Sequence, residues 1–359
     1  MKNNVLVVGT GTIGEPLIGL LARLKDEFGI DNLYFHKRTP LDFEVAKVNS
    51  LVDQGAQLIV NSDVAPEFRK LGHEPVADFE TALRDSRVVI DCTPAGNVNK
   101  DEHYIGLEAY TKDKVFIAQG SEKGFGVPYA HGINDSVLSE ETNPRFIQVV
   151  SCNTHAISRM IKCLSDDVDG NFQSGDFVCI RRANDASQDS GFTPSPTCGK
   201  HPDEVFGTHH AKDVFDLFST VSNPSWDISS SAMKVNSQYM HVVRFRVKLS
   251  DKNLTRAEII NRLKKDSFVS TTKHMTANRV FSFGRDHGFY GRIYNQAVVC
   301  EPSLQVINGD EGSIVTGFSF TPQDGNSLLS SIAAALYGLH GSKYAWYLAH
   351  FHQFLKAEV

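Results

Sequence analysis

The run Val5-Leu6-Val7-Val8 leads straight into Gly9-Thr10-Gly11-Thr12-Ile13-Gly14, and this junction constrains the fold more than any other feature of the chain. Four consecutive apolar residues suit a strand buried on both faces of a parallel sheet. Behind the glycines, Leu17, Ile18, Leu20, Leu21 and Leu24 follow a helical pattern. Strand, G-x-G-x-x-G turn and helix in that order form the dinucleotide-binding arrangement. The glycines permit a tight turn and close backbone approach, and the helix N-terminus faces a pyrophosphate. Gly9, Gly11 and Gly14 are therefore candidate cofactor residues. The alternative is a glycine turn that only packs helix on strand.

Further units of the same kind follow. Asn32-Leu33-Tyr34-Phe35, Gln57-Leu58-Ile59-Val60, Arg87-Val88-Val89-Ile90-Asp91-Cys92 and Lys114-Val115-Phe116-Ile117-Ala118 all read as buried strands. Their alternation with helices up to Val150 predicts a doubly wound parallel sheet, a Rossmann-type α/β domain. An NAD-selective site usually carries an acidic residue after the second strand to bind the ribose 2′-hydroxyl. This chain has His36-Lys37-Arg38-Thr39 instead. Lys37 and Arg38 suit a 2′-phosphate, so the cofactor expectation is NADP or NAD, with NADP favoured. A solvated charged turn is the plainer reading of the same residues.

Phe146-Ile147-Gln148-Val149-Val150 is a last buried strand, and Cys152 follows it at once. From Asn153 onward, Ile157, Met160, Ile161 and Leu164 share one helix face. Cys152 thus falls at a strand-to-helix turn beside free N–H groups and the positive end of a helix dipole. That setting favours a thiolate, the nucleophilic form. A buried packing residue is the competing reading of a lone cysteine.

The pattern then changes. Asp176-Phe177-Val178-Cys179-Ile180-Arg181-Arg182, a run from Tyr239 through His241 to Val247, and a run from Gly312 to Phe320 read as long strands. They predict a mainly antiparallel sheet in an α+β second domain. Thr255 and Glu258 form a capping-box pair opening a helix over 255–265. Residues 183–202, rich in Ser, Asp, Pro and Gly, read as a long loop. The division expected is 1–151 for the dinucleotide domain, 152–325 for catalysis, and 326–359 for helices returning to the first domain.

Arg181-Arg182 and His209-His210, the latter ahead of a helix near 213–221, are candidate anion binders. Their plainer readings are a solvated strand end and a capping or surface pair. His241 is a candidate base, or else a hydrogen-bonded core histidine. At 359 residues the chain suits two domains, and a net charge of −6 makes nucleic acid a poor partner. No apolar run is long enough to cross a bilayer and no leader pattern precedes the first strand, so a cytoplasmic enzyme is expected. The six scattered cysteines form no C-x-x-C pair, and no metal is expected.

The run Gln148-Val149-Val150-Ser151-Cys152-Asn153-Thr154 resembles the active-site segment of archaeal-type (type II) glyceraldehyde-3-phosphate dehydrogenases. Gly11-Thr12-Ile13-Gly14, Asp91-Cys92-Thr93-Pro94-Ala95-Gly96, Gln119-Gly120-Ser121-Glu122-Lys123, Arg181-Arg182, His209-His210 and Tyr239-Met240-His241 follow in the family's order. The resemblance implies that Cys152 is the nucleophile and His241 the base. Ser151, Asn153 and Thr154 would flank a phosphorylated aldehyde. Arg181, His209 and His210 would hold its phosphate or inorganic phosphate. Thr12, Ile13, Gly120, Arg182 and Gln323 would contact the cofactor, and a homotetramer is expected. The chain departs from the family at His155-Ala156, where a threonine and a glycine usually stand, and at Pro322-Gln323-Asp324-Gly325. His155 could alter the phosphate geometry or be a surface substitution. Rival readings are another thiol-dependent acylating semialdehyde dehydrogenase, or a cofactor-binding regulatory protein without catalysis.

Overall fold

Val5–Val8 (β1), Leu33–His36 (β2), Gln57–Val60 (β3), Ala77–Asp78 (β4), Val88–Asp91 (β5), Val115–Gln119 (β6), Val127–Tyr129 (β7) and Phe146–Val149 (β8) form one sheet. Its order is β4-β3-β2-β1-β5-β6-β8-β7, and every pairing in it is parallel. The expected Rossmann-type sheet is present. Chain direction across the sheet reverses beside β1, between β2 and β5, which is where open α/β sheets bind ligands. The computed structural model describes residues 2–108, 113–120, 122–185, 191–322 and 324–359. Contacts divide the chain into two units, the first comprising Met1–His131, Asp135–Val149 and Leu328–Gln353.

Two buried features tie this first unit together. Tyr104, Phe116, Phe125 and Phe146 stack under one face of the sheet, with neighbouring ring centroids 5.0 to 5.6 Å apart for three of the pairs. Such contacts add to the area that each ring buries. At the opposite end of the strands, the fully buried Lys114 turns its ammonium onto the carbonyls of Leu83, Arg84 and Ser86. These groups end the helix Phe79–Asp85 and have no partner within it. The helix Leu328–His340, apolar on nearly every side, lies on β5 and β6. Gly338 lets it approach closely, since a Cβ there would lie 2.7 Å from a Val88 methyl group.

The second unit comprises Gly132–Asn134, Val150–Ser327 and Phe354–Val359. Its strands are Phe172–Arg181 (β9), Thr197–Cys198 (β10), Asp227–Lys234 (β11), His241–Leu249 (β12), Val269–Thr272 (β13), Ala297–Cys300 (β14), Gln305–Gly309 (β15) and Gly312–Thr321 (β16). Five pairings are antiparallel and two are parallel among the described residues, so the sheet is mixed and mainly antiparallel. Phe177, Cys179, Val243, Phe245 and Val247 point to one face and are sealed, as the two-residue period of strands requires. The helix Cys152–Ser165 covers that face, flanked by the helices His209–Phe218 and Arg256–Lys265. The last of these carries the expected Thr255 and Glu258 capping box.

Three local expectations need correction. The histidine pair does not precede its helix: His209 and His210 form its first turn, because Thr208 already takes the extended cap conformation. The segment 183–202 is not wholly loop, since β10 pairs with Met233 and Lys234 of β11; residues 186–190 of it lie outside the described residues. β12 starts at His241, leaving Tyr239 and Met240 before it.

Replacing Lys114 with methionine leaves three carbonyls without their donor. We expect the thermal midpoint of the protein to fall by roughly 4 °C or more, from a loss of about 2 kcal/mol. An unchanged midpoint would show that Lys114 is not needed as this cap.

Candidate active site

The position of Cys152 is set by a helix cap. Ser151 holds extended backbone angles, and its hydroxyl accepts the Thr154 N–H at 3.3 Å and meets the Thr154 hydroxyl at 2.8 Å. That satisfies one of the four N–H groups a helix start leaves open. Cys152 is therefore the first residue of a 14-residue helix. Ser151 and Thr154, expected beside the substrate, are engaged with each other. His155 is fully buried, with Nδ1 3.0 Å from the Ser151 carbonyl, so it is not a surface substitution.

The electrostatic setting of Cys152 differs from expectation. Part of the residue remains accessible, yet the surrounding protein pushes its thiol up to about 11. Burial is the largest cause, and the carboxylate of Asp324 adds to it. The Arg182 charge and the Asn153 N–H work the other way and are outweighed. A helix start alone does not make a thiolate when an anion stands nearby.

Arg182 organises the other side of the site. Its guanidinium is 3% exposed and lies 2.6 Å from Asp185 and 3.1 and 3.3 Å from the two oxygens of Asp324. A buried cation needs such pairing. Its Nε–H remains without a partner among the described residues. Its backbone N–H donates to Nδ1 of the buried His241 at 2.9 Å. Burial, then the charges of Arg182, Arg181 and His210, hold His241 well below the ordinary histidine range.

Asn153 links the nucleophile's helix to two other elements. Its amide nitrogen lies 3.1 Å from Nε2 of His210, and its carbonyl oxygen accepts the Thr321 hydroxyl at 3.4 Å. Thr321 is the register partner of His241 across β12 and β16. His210 Nδ1 in turn lies 3.1 Å from the Thr208 hydroxyl. Both ring nitrogens of His210 are thus engaged, which makes it a support for Asn153. His209 is exposed and stacked on His210, and Arg181 is exposed at the end of β9.

Asp185, Thr321 and Asn326 were not singled out in the sequence, and Asp324 was named there only within the segment that departs from the family. Asn326 donates to the Cys152 carbonyl at 2.9 Å and to the Gln296 carbonyl at 3.0 Å. Asp324-Gly325 is a turn-forming pair three residues past the end of β16, a signal that could have marked this segment. Asp324 holds a φ of 61°, and a Cβ on Gly325 would lie 2.2 Å from the Ile293 carbonyl oxygen. Gln323, expected at the cofactor, lies outside the described residues.

The glycine loop sits in the first unit. Gly9 has φ of 94°, and a Cβ on Gly14 would lie 2.1 Å from the Gly9 carbonyl oxygen. Both are glycines because the turn requires it. Gly11 has nothing within 4 Å of an added Cβ, so its missing side chain leaves open space beside the turn. The helix Gly14–Arg23 starts at Ile13 without a side-chain cap, leaving N–H groups for an anion. A cavity of about 780 Å³ lies beside Gly9, Thr10, His36, Arg38, Thr39 and Thr93. Gly120 ends β6 at φ of 72° and donates its N–H to the Val149 carbonyl.

Of the two basic residues expected at the ribose, Lys37 is already paired with Glu44. Glu44 also holds Lys47. Arg38 is exposed at the cavity edge and has no ion pair among the described residues. Burial pushes His36 down to about 4, so its ring is neutral.

This chain is similar to archaeal glyceraldehyde-3-phosphate dehydrogenases. A glyceraldehyde-3-phosphate dehydrogenase of Pyrobaculum calidifontis is 29% identical over 326 residues, 87% of this chain and 86% of that protein. One from Thermococcus sibiricus is 28% identical over 291 residues, 80% of this chain and 76% of the relative. One from Sulfolobus acidocaldarius is 26% identical over 327 residues, 88% and 87%. No protein-family profile matches the chain.

Two outcomes check this geometry. Alkylation of Cys152 by iodoacetamide in the free protein is expected to be slow at pH 7 and to rise about tenfold per pH unit up to pH 9. Asp324→Asn removes the anion that opposes ionisation and should speed alkylation at pH 7.5; unchanged or slower labelling would contradict the assigned electrostatics. Gly11→Ala should keep the thermal midpoint but weaken binding of oxidised NADP, whereas Gly14→Ala should lower the midpoint by several degrees. Equal effects of the two substitutions on stability would overturn the division of roles.

Proposed function

We propose that the chain is a phosphorylating glyceraldehyde-3-phosphate dehydrogenase. It interconverts glyceraldehyde 3-phosphate, inorganic phosphate and NAD(P)+ with 1,3-bisphosphoglycerate and NAD(P)H, through a thioester on Cys152. The observation that carries the reading is Cys152 at the start of its helix, partly accessible and set in the fields of Arg182 and Asp324. The similarity to relatives of that name over most of the chain agrees with it. It does not favour a semialdehyde substrate or a non-catalytic role.

The chemistry asks three things of this chain. Cys152, once ionised, attacks the aldehyde carbon and later leaves when inorganic phosphate attacks the thioester. N–H groups at the Cys152 helix start stabilise the oxygen anion formed on attack. Arg181 and His209, both exposed, bind phosphate oxygens, and the Nε–H of Arg182, unpartnered among the described residues, offers a further donor. His241 serves the substrate oxygen. A bound oxidised nicotinamide supplies the hydride acceptor. In the first unit, the glycine turn and the open helix start hold the pyrophosphate. Arg38 and Thr39 favour a 2′-phosphate, so NADP is the preferred cofactor and NAD the alternative.

Two further readings belong with this. The outer face of the second sheet leaves Val178, Ile180 and Val242 part-buried and Phe318 41% exposed, a surface suited to a second copy in a homotetramer. No helix among the described residues is long and apolar enough to cross a membrane. Six unpaired cysteines suit a reducing compartment, and we place the enzyme in the cytoplasm.

Oxidation of glyceraldehyde 3-phosphate is assayed with NADP and with NAD, each with and without inorganic phosphate. Turnover is expected to require phosphate and to be faster with NADP at low cofactor concentration. Cys152→Ser should lose at least about a thousandfold in kcat. Near-normal oxidation by that variant would rule out the covalent route.

A further inference from the structure

We propose that Glu44 sets how strongly the cofactor site selects NADP over NAD, by holding the charge of Lys37 back from the ribose 2′-phosphate. This deepens the dehydrogenase reading above and rests on it for the cofactor. Lys37 follows the last residue of β2 and lines the cavity beside the glycine turn. Sequence alone pairs it with Arg38 as a phosphate ligand. In the structure its side chain is 7% exposed, and its ammonium is bonded to a carboxylate oxygen of Glu44. An ammonium so deeply placed needs an anion at hand, and Glu44 supplies it.

Glu44 is itself held in place. It ends the short turn Asp42–Glu44 and directly precedes the helix Val45–Asp53. Its other oxygen takes the Lys47 ammonium at 2.6 Å, and Lys47 lies 3.8 Å from Glu15 in the first turn of the helix Gly14–Arg23. Two cations and two anions thus alternate across the end of β2 and two helix starts, with no net charge. Burial opposes ionisation of Glu44, but the hydrogen bonds and charges of Lys37 and Lys47 outweigh it and hold the carboxyl below its ordinary range. Glu44 is therefore an anion at neutral pH. Arg38, the next residue after Lys37, is exposed at the cavity edge and has no ion pair among the described residues.

The consequence for the cofactor follows from charge. A 2′-phosphate carries about −1.5 to −2 charges near neutral pH, where NAD has a neutral hydroxyl. An ammonium with a carboxylate beside it attracts that phosphate far less than an isolated one, because the carboxylate repels what the ammonium attracts. The hydroxyl of NAD is nearly indifferent to the pair. With Glu44 charged, selection for NADP comes from Arg38 and Thr39, and the site accepts both cofactors. With the charge of Glu44 removed, Lys37 adds a second cation to the ribose end of the cavity and selection for NADP rises.

The test is isothermal titration of the full-length protein with oxidised NADP and with NAD, in a buffer without phosphate. Glu44→Gln keeps the shape of the side chain and removes its charge. We expect its Kd for NADP to fall about tenfold and its Kd for NAD to stay within about threefold. An unchanged ratio of the two constants overturns the proposal. Lys37→Met combined with Glu44→Gln removes both charges and should return the ratio to within about threefold of the unaltered protein. A gain that survives in this double variant does not pass through Lys37 and overturns the proposal too. The third variant leaves the buried pair intact. Arg38→Met alters an exposed side chain while Lys37 stays with Glu44, so the preference for NADP should vanish. A preference for NADP of about tenfold or more in that variant shows Lys37 available to the phosphate and contradicts the proposal. An unaltered protein that binds neither dinucleotide counts against the dehydrogenase reading instead.

Discussion

Burying a guanidinium is unfavourable unless its charge is met where it sits, and Arg182 places that demand at the centre of the second unit. Asp324 and Asp185 meet it. The consequences spread through three elements. The turn after β16 must carry Asp324 at a left-handed φ to bring its carboxylate in. The end of β9 is pinned, so its next N–H stays on His241. The thiol of Cys152 then experiences the anions of Asp324 and Asp185 and the cation of Arg182 together, and burial with the anions prevails. One ion pair thus reaches, together with burial, both the thiol of Cys152 and the ring of His241.

The helix of Cys152 is held by contacts that leave the thiol free to react. Ser151 and Thr154 close the cap, Asn153 is fixed between His210 and Thr321, and Asn326 holds the Cys152 carbonyl. Each uses a polar group whose loss would leave a buried partner unsatisfied. Several residues that a motif comparison would place against substrate hold other parts of the site in this structure. Ser151, Thr154 and His210 are the examples. Under the proposed function, the exposed Arg181 and His209 and the Nε–H of Arg182, unpartnered among the described residues, are the groups offered to phosphate.

The first unit was the more legible from sequence, for a physical reason. Parallel strands buried on both faces are continuous apolar runs, and a turn that needs glycine says so in its own residues. Gly9 and Gly14 behave in this way, one through its φ and the other through a contact. The place of Cys152 after a buried strand was readable on the same grounds. Its thiol was not, because the opposing carboxylate is 172 positions away in the chain (324 less 152) and no local pattern connects them. The charge of Lys37 is likewise visible in sequence, but its pairing with Glu44 depends on how the following turn folds back. His155 could be read either as altering the phosphate geometry or as a surface exchange, and its burial excludes the second, because its neighbours in space are not its neighbours in sequence.

A covalent thioester on Cys152 is the centre of the functional account, and it can be looked for directly. The protein is mixed with glyceraldehyde 3-phosphate and oxidised NADP in the absence of inorganic phosphate, quenched in acid and digested for mass spectrometry. The expected result is a 3-phosphoglyceroyl adduct on the peptide carrying Cys152, which disappears when inorganic phosphate is added before the quench. Reduced cofactor appearing while Cys152 stays unmodified, or an adduct on another residue, would contradict it.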